Sequence, residues 1–217
     1  MRIGVVVGLT AEARLARRLG WPVAIGGGTV VGAKAAANAL VEQGCTGLIC
    51  FGLAGGLDPA LRPGAVIVPS GVIAGDKRYA TDPSLSHLLG GSIPDSVLST
   101  DAIVVTVEEK RRLRQQTGAV AVDMESGAVA RVGSMHGIPF AVLRAICDPA
   151  DSALPPAALA AVDARGAIRI WRLLASIIAR PRQLAGVFAL AADAAAARQA
   201  LLGRIRLLAR VAGCEPP

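Results

Sequence analysis

The stretch Gly47 to Gly64, GLICFGLAGGLDPALRPG, begins as an unbroken apolar run and turns into a segment rich in glycine and proline. A strand with one face in water alternates apolar and polar residues, whereas a strand covered on both faces stays apolar throughout. Gly47–Phe51 therefore predicts a central strand, and the residues after it, Gly52, Ala54 and Gly55 among them, are expected to form a glycine-rich loop. Ligands of such sheets sit where strands end in loops.

Apolar, β-branched runs of the same kind recur at Ile3–Val7, Val23–Ile25, Ala65–Val68, Ile103–Val105, Ala119–Val122 and Phe140–Ile146. Helical patterns lie between several of them, at Ala11–Leu19, Ala33–Gln43, Val107–Gln116 and Ser126–His136, the last stopping at Gly137 ahead of Pro139. The alternation predicts an α/β fold with a mixed, mostly parallel central sheet flanked by helices on both faces.

Composition narrows the function classes. The 217 residues are 53% hydrophobic and 18% charged, with 25 glycines, which excludes disorder and favours one well-packed core. Aromatic residues make up 3%, too few for the stacking platforms of a single-strand nucleic-acid binder. Cys45, Cys50, Cys147 and Cys214 form no C-x-x-C pair, so neither a disulfide framework nor a metal site is expected, and a reducing cytoplasm fits. The first residues read as a strand rather than a leader, and no uncharged run reaches the roughly 18 residues of a membrane span.

The net charge of +7 is unevenly placed: residues 161–217 hold nine arginines against three acids. On a helical wheel Arg169, Arg172, Ser176 and Arg180 share a stripe opposite Ile168, Trp171, Leu174, Ala175 and Ile178. Pro181 ends that helix, and a second run over Leu184–Val211 carries Arg198, Arg206 and Arg210. A division follows, with a catalytic domain over 1–155 and a basic amphipathic helical extension over 156–217 that invites an anionic surface.

The chemistry-bearing residues gather at predicted strand ends, in GLTAE, GLAGGLDPALRPG, DMESG and RAICDPAD. Asp148 reads either as a turn residue before Pro149 or as a carboxyl group facing a pocket, where burial would raise its pKa. Glu12 follows the first strand at a helix start, where a carboxylate serves as a cap or as a base. Asp123 and Glu125 flank Met124, and period-two alternation would send the two acids to opposite faces.

Taken in order, GLTAE, FGLAGGLDPALRPGAVIV, VDMESGAVA and GIPFAVLRAICDPAD resemble the nucleoside phosphorylase and nucleosidase family, above all its branch cleaving methylthioadenosine and adenosylhomocysteine. The resemblance implies that Glu125 accepts hydrogen bonds from both ribose hydroxyls, with Met124 packed on the sugar. It implies that Asp148 is the acid at purine N7 and that Glu12 orients and deprotonates the attacking water. Asp123 is left as a turn or capping residue. No metal or organic cofactor is implied, and the family's assemblies imply a homo-oligomer.

Four departures bear on nucleophile and substrate. The phosphate arginine of the phosphorolytic branch has no counterpart near Cys50 and Phe51; Arg14 or Gly26–Gly28 is left as an anion site should phosphate be a co-substrate. Leu53 stands for a serine of the nucleosidase branch, Ile103 beside Val104 for a purine-stacking phenylalanine, and Cys147 for the serine before the acid. All three make the purine pocket more apolar.

The tail resembles that of the hopanoid-associated phosphorylase subgroup, which implies removal of adenine from adenosylhopane in hopanoid biosynthesis. The expected partners are a small or lipidic adenosine substrate and the inner face of a bacterial cytoplasmic membrane, met peripherally, with no nucleic acid. The competing readings are a soluble methylthioadenosine/adenosylhomocysteine nucleosidase and a non-catalytic nucleoside- or lipid-sensing membrane module.

Overall fold

The computed structural model describes residues 1–155 and 184–211. The chain runs through β1 (Ile3–Val7), α1 (Thr10–Ala16), β2 (Val23–Ile25), α2 (Val30–Glu42) and β3 (Gly47–Gly56). A two-residue β4 (Val66–Ile67) leads to β5 (Pro69–Ala74), β6 (Lys77–Ala80), α3 (Pro83–Leu88) and β7 (Ile93–Ser99). Then come α4 (Val107–Thr117), β8 (Ala121–Asp123), α5 (Ser126–His136), β9 (Phe140–Asp148) and a long helix α6 (Leu184–Val211).

The strands form one mixed sheet in the order β2-β1-β3-β8-β7-β5-β6, with β9 placed between β3 and β4. β1 pairs parallel with β2 and β3, β3 with β9, and β7 with β5 and β8, while β8 joins β3 antiparallel. The sheet therefore forks along β3. Its first residues lie beside β9, and Gly55 stands opposite both Val122 of β8 and Asp148 of β9.

Successive residues of β1 and β3 feed two cores. Val6, Leu48 and Cys50 pack with α2 and α5 on one face, and Val5, Ile49 and Phe51 with α1, α3 and α6 on the other. That is why these strands are apolar at every position rather than at alternate ones.

The run 184–211 read as helical is the helix α6, and Arg198, Arg206 and Arg210 point to solvent. Its opposite face, Ala197, Leu201, Ile205 and Leu208, closes the core over β9. Each buried Leu or Ile contributes about 1.5–3 kcal/mol. The division at 155/156 marks a change of composition and not of packing, because α6 shares its core with β1 and β3. The predicted stripe of Arg169, Arg172, Ser176 and Arg180 lies outside the described residues, and no described helix is long and apolar enough to cross a membrane.

Other expectations need correction. β3 continues through Gly56, so Gly52, Ala54 and Gly55 are strand residues and form no loop. Glycines extend the strand because their neighbours approach too closely for side chains. Ile103–Val105 is an irregular segment ahead of α4, although its residues have strand-forming side chains. Its backbone is used elsewhere, the Val105 carbonyl accepting from Leu154 N–H at 2.9 Å. Strands β5, β6 and β7 were not foreseen; β6, Lys-Arg-Tyr-Ala, is an edge strand whose polar residues face solvent.

Candidate active site

The ends of β1, β3, β8 and β9 and the segment before α4 enclose a cleft of about 240 Å³. Glu12, Ala54, Gly55, Ile103, Val104, Met124, Glu125, Cys147 and Asp148 all line it. Gly52 does not; it sits behind Glu12. Among the described residues the buried charged side chains are Glu12, Lys110, Asp123, Glu125, Arg144 and Asp148, and every one lines this cleft or bonds to a residue that does. Charge is expensive to bury, so its concentration in one place marks a built site.

Glu12 occupies the third position of α1 and serves two ends at once. Its Oε2 accepts from Leu9 N–H at 2.7 Å, capping the helix, and its Oε1 accepts from Leu53 N–H on β3 at 2.8 Å. The capping carboxylate also faces the cleft. Burial raises its pKa, against the pull of Arg144 and of the backbone donors.

Two glycines give the acids room. A Cβ on Gly52 would lie 2.5 Å from Glu12 Oε1 and 2.7 Å from Arg144 Nη1. A Cβ on Gly8 would lie 2.6 Å from Glu125 Oε1. Both contacts lie below 3.0 Å, so a side chain at either position would displace the carboxylate behind it.

The acids of VDMESGAVA do not part to opposite faces. β8 ends at Asp123, and Glu125 already belongs to the start of α5, so the two-residue period stops between them. Asp123 Oδ1 accepts from Ser126 N–H at 3.1 Å and Ser126 Oγ at 2.7 Å, tying the end of β8 to the first residue of α5, whose N-cap position is Glu125. Its Oδ2 receives Arg144 Nε at 2.8 Å, and Arg144 Nη2 reaches Glu125 Oε2 at 2.9 Å.

Arg144 is the organiser that sequence reading passed over. Fully buried in the middle of β9, it also donates to the Leu53 carbonyl at 3.3 Å and to Cys50 Sγ at 3.0 Å. The signal was present: an arginine inside FAVLRAICD must find acceptors, because an unpaired guanidinium cannot be buried. Three acids around one cation leave negative charge in excess. Burial, with Asp123 and Glu12 adding to it, lifts Glu125 to about 7 despite Arg144.

Asp148 ends β9 just after a bulge, where the register against β3 shifts between Ala54 and Gly55. The extra residue lets Cys147 and Asp148 both face the cleft. Burial pushes the Cys147 thiol up to about 12, leaving a neutral, apolar wall. Asp148 is raised by burial and drawn back by Lys110, whose Nζ lies 2.8 Å from its Oδ2. Lys110 carried no sequence signal, being one of four cations in VEEKRRLRQQT.

The walls are as apolar as expected: Leu53, Val104 and Leu154 line the cleft, and Ile103, 47% exposed, stands at its rim. Of the anion-binding candidates, Arg14 is exposed and away from the cleft, whereas Gly28 lines it.

Residues 95–179 match the family model described as Phosphorylase superfamily. The 5'-methylthioadenosine/S-adenosylhomocysteine nucleosidase of Mycobacterium bovis is 25% identical over 152 residues, 48% of this chain and 60% of that protein. The nucleosidase of the same description from Staphylococcus epidermidis is 29% identical over 131 residues, 48% and 57% of the two chains. The matches thus span little more than half of these relatives. Among solved structures, the 5'-methylthioadenosine/S-adenosylhomocysteine nucleosidase of Neisseria meningitidis with methylthio-immucillin-A superposes with a TM-score of 0.65 at 19% identity, over 96% of this chain and 100% of that one. The futalosine hydrolase of Helicobacter pylori gives 0.66 at 19% identity, over 94% and 96%. The chain has the mixed α/β fold of these enzymes, and its segment 95–179 carries the match to the Phosphorylase superfamily.

Proposed function

We propose that the protein cleaves the N-glycosidic bond of an adenosine derivative and releases adenine, with water as the nucleophile. The observation that carries this reading is the convergence of Glu12, Glu125 and Asp148, from three distant segments, on one apolar-walled cleft. Breaking a purine N-glycosidic bond leaves positive charge on the sugar and negative charge on the base. The excess of carboxylate around Arg144 suits the first, and an acid of raised pKa at Asp148 suits the second. Glu125 takes the ribose hydroxyls, Met124 packs on the sugar, and Glu12 aligns the water and accepts its proton. The nucleosidases to which the chain is similar support the reaction class.

Water is favoured over phosphate because both buried cations are already engaged. Arg144 is bound by Asp123, Glu125, Leu53 and Cys50, and Lys110 by Asp148 and two carbonyls. No arginine or lysine among the described residues lines the cleft. Incubation with methylthioadenosine, adenosylhomocysteine and a lipidic adenosine, with and without phosphate, tests the proposal. Free sugar and adenine in both buffers are expected; adenine release strictly dependent on phosphate would remove the hydrolytic role of Glu12.

Within that reading, the substrate carries an apolar group on the ribose 5' carbon, as adenosylhopane does in hopanoid biosynthesis. Leu53, Ile103, Val104 and Cys147 in place of more polar or aromatic residues support it, as does the arginine-rich sequence after residue 161. The lipidic substrate is expected to be turned over faster than the two thionucleosides, and equal or lower rates would return the protein to the soluble-nucleosidase reading. Membrane contact is tested by flotation with anionic liposomes of the full chain and of a chain with Arg169, Arg172 and Arg180 changed to alanine. Truncation is unsuitable, since α6 belongs to the core. Absence of both chains from the lipid fraction would end the membrane assignment.

A further inference from the structure

Lys110 is a fully buried ammonium on a helix that otherwise faces solvent. Its Nζ lies 2.8 Å from Asp148 Oδ2, 2.8 Å from the Pro149 carbonyl and 2.7 Å from the Ser152 carbonyl. An ammonium has three protons, so all three are committed, and the group cannot swing away. The same contacts bind α4 to the turn that follows β9, which the bond between Leu154 N–H and the Val105 carbonyl ties a second time. Asp148 is thereby gripped through one oxygen at the wall of the cleft.

We propose that Lys110 is a positioning residue for Asp148, fixing its carboxyl group in the cleft and stabilising the carboxylate left when Asp148 passes its proton to the leaving purine. The inference rests on the nucleosidase reading above. In that step the C1'–N9 bond breaks with its electron pair going to the base, the Asp148 O–H bond breaks, and an N7–H bond forms. The water oxygen bonds to C1', and the water's proton goes to Glu12. Exchange with solvent then returns both carboxyl groups to their starting states. Without Lys110 the new carboxylate would sit buried and unpaired, which makes Asp148 a weaker acid.

Three chains are compared with the parent: Lys110→Met, Asp148→Asn and the double variant. Lys110→Gln, which keeps donors for the two carbonyls, serves should the methionine fail to fold. Adenosine substrates are expected to lose about 10²-fold in kcat with little change in KM. The 4-nitrophenyl riboside, whose phenolate leaves without a proton, is expected to lose less than about 3-fold, a difference a purely structural role would not create. In the Asp148→Asn background the Lys110 change is expected to add almost nothing. Equal losses on the two substrates, or a further tenfold loss in the double variant, would overturn the assignment.

Titration of the Asp148 carboxyl carbon by NMR reads the pairing without turnover. Asp148 is faced by Lys110 from α4, Asp193 from α6 and Cys147 from its own strand. Its midpoint is expected to rise by about a unit or more in Lys110→Gln, since a cation at this distance lowers a carboxyl pKa by roughly 1–3. An unchanged midpoint overturns the pairing. A parent chain inert on every adenosine derivative would overturn the nucleosidase reading, and the titration would still decide whether Lys110 governs Asp148.

Discussion

At one end of the cleft a single guanidinium, Arg144, is divided between Asp123 and Glu125 with Glu12 close by, while at the other a single ammonium, Lys110, meets one carboxylate, Asp148. The first arrangement is short of positive charge; the second is balanced. Burial, with Asp123 and Glu12 adding to it, raises Glu125 to about 7 against the pull of Arg144, and the gathered carboxylates make that end receptive to positive charge. A balanced pair instead supplies an acid whose conjugate base has a partner waiting. The cleft is polarised along its length, in the sense that glycosidic cleavage requires.

The largest effect should come from the balanced end. Asp148→Asn is expected to cut kcat on adenosine substrates by about 10²–10⁴-fold while leaving the fold intact. Full turnover by this variant would dissolve the distinction between the two ends. At the crowded end the expected loss is in stability, because Arg144→Met leaves Asp123 and Glu125 buried without their counter-charge. Removing one member of a buried charge cluster costs about 3–5 kcal/mol, to be read from urea unfolding. A loss below about 1 kcal/mol would mean that the acids simply take up protons.

Gly52→Ala probes the same end more gently. Forcing a methyl between Glu12 and Arg144 is expected to cost about 1–3 kcal/mol and to depress turnover, because the carboxylate proposed to orient water must move. The remaining test is the pH dependence of stability. Glu125 is raised from its ordinary 4.5 to about 7, so its contribution is fully present below pH 4.5 and is lost as pH climbs through 7. The melting temperature is expected to fall across that window, and less so in Glu125→Gln. Activity should run the other way over the same range, since Glu125 must be ionised to accept two ribose hydroxyls. A melting temperature that instead rises from pH 4.5 to 7 equally in both chains would place the titration elsewhere.

Much of this architecture was legible in the chain. The apolar strands, the limits of α5 and the helical character of α6 follow from periodicity, a glycine stop and flanking proline, which act locally. Candidate acids were legible because a carboxylate at a strand end is conspicuous. Their partners were not equally so. Arg144 could have been found from its apolar neighbours, but Lys110 looks like any solvated helix residue until α4 is seen lying against the turn after β9. Ile103–Val105 misled for a related reason: side-chain propensity favours a strand, and the fold spends that segment on walling the cleft. Strand β6 escaped because an edge strand needs little hydrophobic patterning, and β5 and β7 because proline and polar residues break their apolar runs, PSGVIA and IPDSVLS. What remains hidden in each case is a long-range pairing that no local window contains.

Gly8 and Gly52 have a consequence for how such a site is surveyed by mutation. Their contribution consists of atoms that are missing, so a scan that trims every side chain back to alanine removes nothing there and instead inserts a group into the carboxylates behind. Read as deletions, both positions would be misjudged as flexible hinges. Read as additions, they measure how tightly the acid framework is drawn, and a ladder from glycine to alanine to serine at each would gauge the slack around Glu12 and Glu125 separately.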